Sequence, residues 1–213
     1  MTDTIEDLNQ ILDVHTEFEC KYRVDAHTLI EFKKIVSQLP DPKRFLYVEG
    51  PDRYYIHPDM DENSFCRYRK PSFGLDGGRS ELTLKQKPKG AKNSVQRIEL
   101  NIRVDMTPED TIEKFVETLG FKFNFSIVKN CHIMFFDDAN VVFYTVYDTT
   151  EGTKTSKVDH FVEIEVNEDN IRNKQLTKDQ AWAIIEKYEK VLEPMGITAH
   201  KRLKRSLWEM YRR

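Results

Sequence analysis

His15-Thr16-Glu17-Phe18-Glu19-Cys20-Lys21-Tyr22-Arg23 is the stretch whose reading decides the fold. Successive side chains of an extended chain point to opposite faces, so Glu17, Glu19, Lys21 and Arg23 share one side while Phe18, Cys20 and Tyr22 share the other. Four later segments repeat the layout: Arg67 and Arg69 in 65–69, Lys85 and Lys87 in 82–87, Arg97 and Glu99 in 97–100, and Glu163 and Glu165 in 161–166. One such strand alone reads as an ordinary surface ladder with a wet face and a core face. Charge at i and i+2 in strand after strand has a simpler common destination, the inside of a closed barrel whose apolar exterior is covered by helices. The expected fold is therefore α+β: an eight-stranded antiparallel β-barrel with helices packed outside.

Composition bounds the rest. The chain has 213 residues, enough for one barrel with appended helices, and a single domain over 1–213 is expected. A charged fraction of 32% beside a hydrophobic fraction of 39% is more charge than a typical domain carries. The net charge of −3 means that any grip on a polyanion must come from local arrangement of the 33 Lys and Arg. Cys20, Cys66 and Cys131 are odd in number and lack CxxC spacing, which argues against a disulfide framework or zinc ribbon and fits a reducing cytosol. The N-terminus lacks the apolar run of a signal peptide and no stretch approaches a membrane span, so a cytoplasmic protein with no membrane partner is expected.

Along the chain, Ile5, Leu8, Ile11 and Leu12 predict a short amphipathic helix over 3–12, followed by the first strand, about 15–24. Asp25 is the expected cap of a helix whose apolar face is Leu29, Phe32, Ile35, Val36 and Leu39. A strand pair broken at Gly50-Pro51-Asp52 is expected over 45–56, and Gly-rich or polar turns at 72–78 and 88–93. Thr107-Pro108-Glu109-Asp110 predicts a helix start, with Ile112, Phe115, Val116 and Leu119 buried and Gly120 as the stop. Strands near 121–136, 140–149 and 161–166 follow. Thr177 then caps a helix through Trp182, Ile185, Tyr188, Val191 and Leu192, and a last basic-aromatic helix spans about 201–211.

Bare charges buried in an apolar core cost several kcal/mol each, so a barrel lined by both signs must stay wet and hold a compensating ligand. Glu17, Glu19, Glu163 and Glu165, brought together if the first and last strands close the barrel, form a hard-oxygen cluster suited to Mg²⁺ or Mn²⁺. Lys21, Arg67, Arg69, Lys85, Arg97 and Lys129 supply fixed donors for several phosphate groups in a row. Metal at one wall and a basic cradle at the other is how phosphoryl transfer is organised. The basic run of Lys201, Arg202, Lys204 and Arg205 reads either as a solvated face or as a plug or RNA guide at one tunnel mouth.

These segments resemble, in order, the signature of the CYTH or triphosphate tunnel metalloenzyme superfamily. Glu17-x-Glu19-x-Lys21 is similar to its ExExK strand, Arg67-x-Arg69 to its RxR, Leu82-Thr83-Leu84-Lys85 to its LTxK, Arg97-x-Glu99 to the start of RxExE, and Phe161-Val162-Glu163-Ile164-Glu165 to its closing FxEIE. Ser206 resembles the terminal Ser of the family, and the resemblance covers nearly the whole chain. It implies a tunnel that binds a linear triphosphate with Mg²⁺ or Mn²⁺, with Glu17, Glu19, Glu99, Glu163 and Glu165 as metal ligands. Glu17, Glu19 and Lys21 would be the catalytic group. The expected partner is a triphosphate-bearing small molecule or an RNA 5′ end, in tripolyphosphatase, thiamine triphosphatase, RNA 5′-triphosphatase or class IV adenylyl cyclase chemistry. A module that binds a nucleotide or polyphosphate without turnover is the non-enzymatic alternative. The chain departs from the pattern at Asn101, where a second acid would stand, at Cys131, where a basic residue would follow Lys129, and in the seventh strand, which lacks an inward Asp.

Overall fold

The computed structural model describes residues 12–39, 44–70, 80–86, 96–105, 107–150, 158–167 and 176–213. The described residues form eight strands: β1 (Leu12–Val24), β2 (Arg44–Ile56), β3 (Phe65–Arg69), β4 (Glu81–Gln86), β5 (Gln96–Arg103), β6 (Lys122–Phe135), β7 (Ala139–Asp148) and β8 (Val158–Val166). They close into a barrel in the order β1-β5-β4-β3-β2-β6-β7-β8, every neighbour antiparallel. Closure falls on β1, whose first half (Leu12 to Phe18) pairs with β5 and whose second half (Glu19 to Val24) pairs with β8. The helices are α1 (Thr28–Val36), α2 (Glu109–Thr118), α3 (Lys178–Leu192) and α4 (Leu207–Tyr211). None of the described helices is long and apolar enough to cross a membrane.

The outward parity of β1 makes the main core. Phe18, Cys20 and Tyr22 join Val141, Phe143, Val162 and Ile164 of β7 and β8 beneath Phe32 and Val36 of α1 and Ile185, Tyr188 and Leu192 of α3. On the opposite wall, Tyr55, Cys66, Tyr68 and Leu82 are covered by Ile112 and Val116 of α2. A third cluster lies within one end of the barrel, where Tyr54, Phe65, Phe125, Ile127, Tyr144, Val146 and Phe161 pack against Leu207, Trp208 and Tyr211 of α4. Period-2 alternation thus sends charge inward at one level and aromatic bulk inward at another.

Several expectations are corrected. No break interrupts β2 at Gly50-Pro51-Asp52; Pro51 sits in register with Val128 of β6. The N and O of a strand residue face the same side, and the Pro51 carbonyl accepts from the Lys70 amide beyond the end of β3, so the missing N–H forfeits one bond at the end of that strand and leaves the ladder to β6 intact. Asp25 caps α1 through its carbonyl, accepting from Thr28 N at 3.0 Å, while the N-cap position is His27 without a side-chain bond. Phe115 and Leu119 are exposed, because the outer wall is covered by Ile112 and Val116 alone. The terminal helix begins at Leu207, not Lys201: a 3₁₀ turn occupies Ala199–Lys201 and a Ser206–Glu209 capping box starts α4. Thr177 caps α3 as expected, with Gln180 completing the box. The expected helix over 3–12, the turns at 72–78 and 88–93, and Lys87 lie outside the described residues.

Candidate active site inside the barrel

Inward positions of the strands build one cavity of about 290 Å³, lined by Glu19 and Lys21 of β1, Tyr54 of β2, Phe65, Arg67 and Arg69 of β3, and Glu81 and Lys85 of β4. Glu99 and Asn101 of β5, Lys129 of β6, Glu163 and Glu165 of β8, and Ser206, Leu207 and Trp208 complete it. Nine of the residues singled out from sequence therefore meet: Glu19, Lys21, Arg67, Arg69, Lys85, Glu99, Lys129, Glu163 and Glu165. Glu17 and Arg97 are register partners on β1 and β5, and their side chains lie outside the described residues.

The lining neutralises itself. Lys21 Nζ bridges Glu19 Oε1 at 3.0 Å and Glu163 Oε2 at 2.9 Å, and Tyr144 donates to the same Glu163 oxygen at 3.0 Å. Lys85 pairs with its register partner Glu99. Arg67 donates to Glu81 at 3.2 Å and to Thr83 at 3.1 Å. Arg69 makes a two-pronged pair with Asp52, at 2.7 and 2.8 Å. Lys129 lies 4.3 Å from the centroid of the Tyr144 ring, a cation–π contact. Such pairs hold charge at low dielectric, where an unpaired ion would be prohibitively costly.

Proton affinities follow from these contacts. Burial raises the Glu19 carboxyl, but the charges of Lys21 and Lys85 outweigh it and hold Glu19 below the usual carboxylate range. Glu163 is pushed the other way, by burial first and then by the negative charge of Glu19, with Lys21 opposing. Asp52 and Glu81 are held low against burial, the first by Arg69 and the second by Arg67 and Arg69. Burial raises the Cys131 thiol despite Lys129 and Arg69, so it is not a thiolate at neutral pH.

Among the described residues, no group of three or more His, Cys, Asp or Glu side chains stands arranged as a finished metal centre. At the acidic wall the Lys21 ammonium lies between two of the carboxylates. The donor chemistry nevertheless fits a hard divalent cation. Glu19 and Glu165 are register partners and Glu163 is two residues from Glu165 on the same strand face, so three carboxylates supply hard oxygen donors on one wall.

Two charged members escaped the sequence reading. Asp52, 1% exposed, sat in what looked like a turn, and Glu81 looked like the approach to a strand. Parity contained both: Asp52 is two residues before Tyr54, and Glu81 stands at i−4 from Lys85. Tyr144 is the β7 residue that reaches the acidic wall, where it donates a hydrogen bond to Glu163.

No protein-family model matches the sequence, and no curated protein matches it. Solved structures do match in shape. The chain is 22% identical to the PH1012 protein of Pyrococcus horikoshii, with a TM-score of 0.65 over 92% of this chain and 99% of that one. A Vibrio parahaemolyticus protein described as a candidate adenylate cyclase is 19% identical, with a TM-score of 0.62 over 92% and 97% of the two chains. A chain of the Schizosaccharomyces pombe Mediator head module is 14% identical, with a TM-score of 0.59 over 84% and 96%. The closed eight-stranded antiparallel barrel with charge-bearing inward strands is the fold that this chain shares with these solved structures.

Proposed function

We propose that this protein is a divalent-metal-dependent hydrolase of a linear triphosphate, either tripolyphosphate or a nucleoside or related organic triphosphate, using Mg²⁺ or Mn²⁺. The observation that supports this most is the self-paired lining: five cations and five carboxylates face one small cavity. A triphosphate whose oxygens took Lys21 and Lys85 would draw positive charge away from Glu19, Glu163 and Glu99, and a divalent cation held by these carboxylates would restore the balance, with Arg67, Arg69 and Lys129 meeting the remaining oxygens. Arg97 joins the phosphate-binding set by its place in the register, and Lys21 orients the attacked phosphate. Glu17, Glu19, Glu99, Glu163 and Glu165 are the residues that would hold the metal, whose chemistry is to neutralise phosphate charge and acidify water. The aromatic end, with Trp208 against Tyr54 and Phe65, gives the phosphate chain a dry floor.

Glu19→Gln and Glu163→Gln are each expected to cut phosphate release from tripolyphosphate by about 10²–10³-fold while the circular dichroism spectrum is retained. Undiminished turnover in both variants refutes the assignment. Removal of RNA 5′-triphosphates is read out by comparing triphosphorylated RNA with tripolyphosphate, and ATP cyclisation by the appearance of pyrophosphate with a cyclic nucleotide. Of the basic run that favoured RNA, Arg202 is engaged by Glu189.

A second reading, ligand binding without turnover, is favoured by Asn101 standing where an acid was expected and by the absence of a β7 acid from the described lining of the cavity. Calorimetric binding of tripolyphosphate with no product would decide for it.

A further inference from the structure

Outside the tunnel, Glu189 on α3 is the most deeply buried charged side chain among the described residues, at 6% exposure. Its two oxygens are fully engaged. Tyr22 OH donates to Oε1 at 2.5 Å, and Arg202 donates through Nε to Oε1 and through an η nitrogen to Oε2, both at 2.6 Å. The Arg202 guanidinium also lies over the Trp182 ring, 4.6 Å from its centroid. The next residue, Leu203, donates its backbone N–H to the Lys21 carbonyl at 2.8 Å. Three residues further on, Ser206, Leu207 and Trp208 enter the wall of the cavity.

We infer that Glu189 is a positioning residue: it latches the tail from Arg202 onward against β1, so that α3, remote from the tunnel, sets both the tail-built wall and the seat of Lys21. This rests on the tunnel being the triphosphate site. The physical reason is the geometry of the knot. Tyr22 and Lys21 are adjacent on β1, one facing out to Glu189 and the other facing in, while Arg202 and Leu203 are adjacent on the tail, one bound to Glu189 and the other to Lys21. A single buried carboxylate therefore ties two chain segments at the point where both feed the site. Removing its charge leaves the partly buried Arg202 with only the largely exposed Glu186, 4.0 Å from an η nitrogen, as a counter-ion, a change that favours release of the tail over rearrangement of the barrel. A ligand that binds only with the tail seated must in turn hold the tail down by the same factor.

Lys201, Arg202, Lys204 and Arg205 make the tail its own reporter, since trypsin cuts after each. In Glu189→Gln, cleavage within 201–205 is expected to accelerate about tenfold and the dissociation constant for tripolyphosphate with Mg²⁺ to rise by a like factor, the size of a lost charged hydrogen bond. The KM rises accordingly while kcat stays within about twofold. Tyr22→Phe, which keeps the ion pair and the packing, is expected to show the same changes at about threefold, and it carries the test if Glu189→Gln does not fold. Tripolyphosphate should slow the cleavage of wild-type protein. Unchanged cleavage and affinity in the variants, or acceleration shared equally by tryptic sites elsewhere in the chain, overturns the latch. Should the wild type fail to bind tripolyphosphate, the triphosphate reading falls, and local cleavage alone still judges the latch.

Discussion

Arg69 keeps its place in the tunnel because Asp52, almost wholly buried, meets its guanidinium with two hydrogen bonds. Asp52→Asn keeps the volume and removes the charge, leaving the Arg69 cation with only the more distant influence of Glu81; a loss of about 3 kcal/mol is expected in urea unfolding. Adding Arg69→Met should recover most of it, since neither half of the pair is then stranded. The same pair shows where sequence reading stops. Lys21, Arg67, Lys85 and Glu163 were legible because each lies in an unbroken alternation of charge and apolar bulk. Asp52 was not, because Gly50-Pro51 beside it has the chemistry of a turn, and only a neighbouring strand that ends early lets proline remain in the ladder. Nor could alternation tell that the inward aromatic Tyr144 donates to Glu163, since a tyrosine in a strand is ordinarily core.

Gly120 ends α2 at φ +91°, and a Cβ there would come 2.8 Å from Nε2 of His57. Gly120→Ala is expected to cost about 2 kcal/mol, from left-handed strain and the displaced imidazole, and a shift in the urea midpoint measures it. Strands and caps with strong local signals were read from sequence within a few residues: the cap at Thr177, the stop at Gly120 and the described inward strands are in place. What local pattern could not supply was which elements end up opposite one another. α2 shows only Ile112 and Val116 to the barrel because a helix crossing one strand wall covers little of it, and Phe115 is left in water. The tail fails as a long helix because Leu203 is spent on the Lys21 carbonyl and Ser206 opens a new helix instead.

At the scale of the molecule, proton linkage has a definite sign. Glu19, Asp52 and Glu81 have depressed folded-state proton affinities, so their contribution is present above the unfolded values of about 4 and lost as pH falls below them. His132 is also pushed down, by burial and then by Lys33, so the unfolded chain protonates first once pH drops below about 6.5. Glu163, raised, works in the opposite direction and gains as pH falls. Asp138 and Asp148 are held low as well, against burial, by Lys187 with Tyr188 and by Thr150 with Arg213, so with six groups against one among the described residues the unfolding free energy is expected to decline gently from pH 7 to 5 and steeply below about 4.5, as urea titrations across that range would measure. A flat profile would mean that the charges of the tunnel are not paired in solution.

The barrel closes through a strand divided between two partners, and this orders the folding process. β1 is made before the other seven strands, yet half of its pairing awaits β5 and the other half awaits β8. Its Phe18 and Tyr22 must be sheltered, and its edge kept from foreign strands, until residue 166 has been made. So late a joining of distant segments slows the search for the native ring, and the interval before β8 arrives is when the nascent chain most needs protection from aggregation.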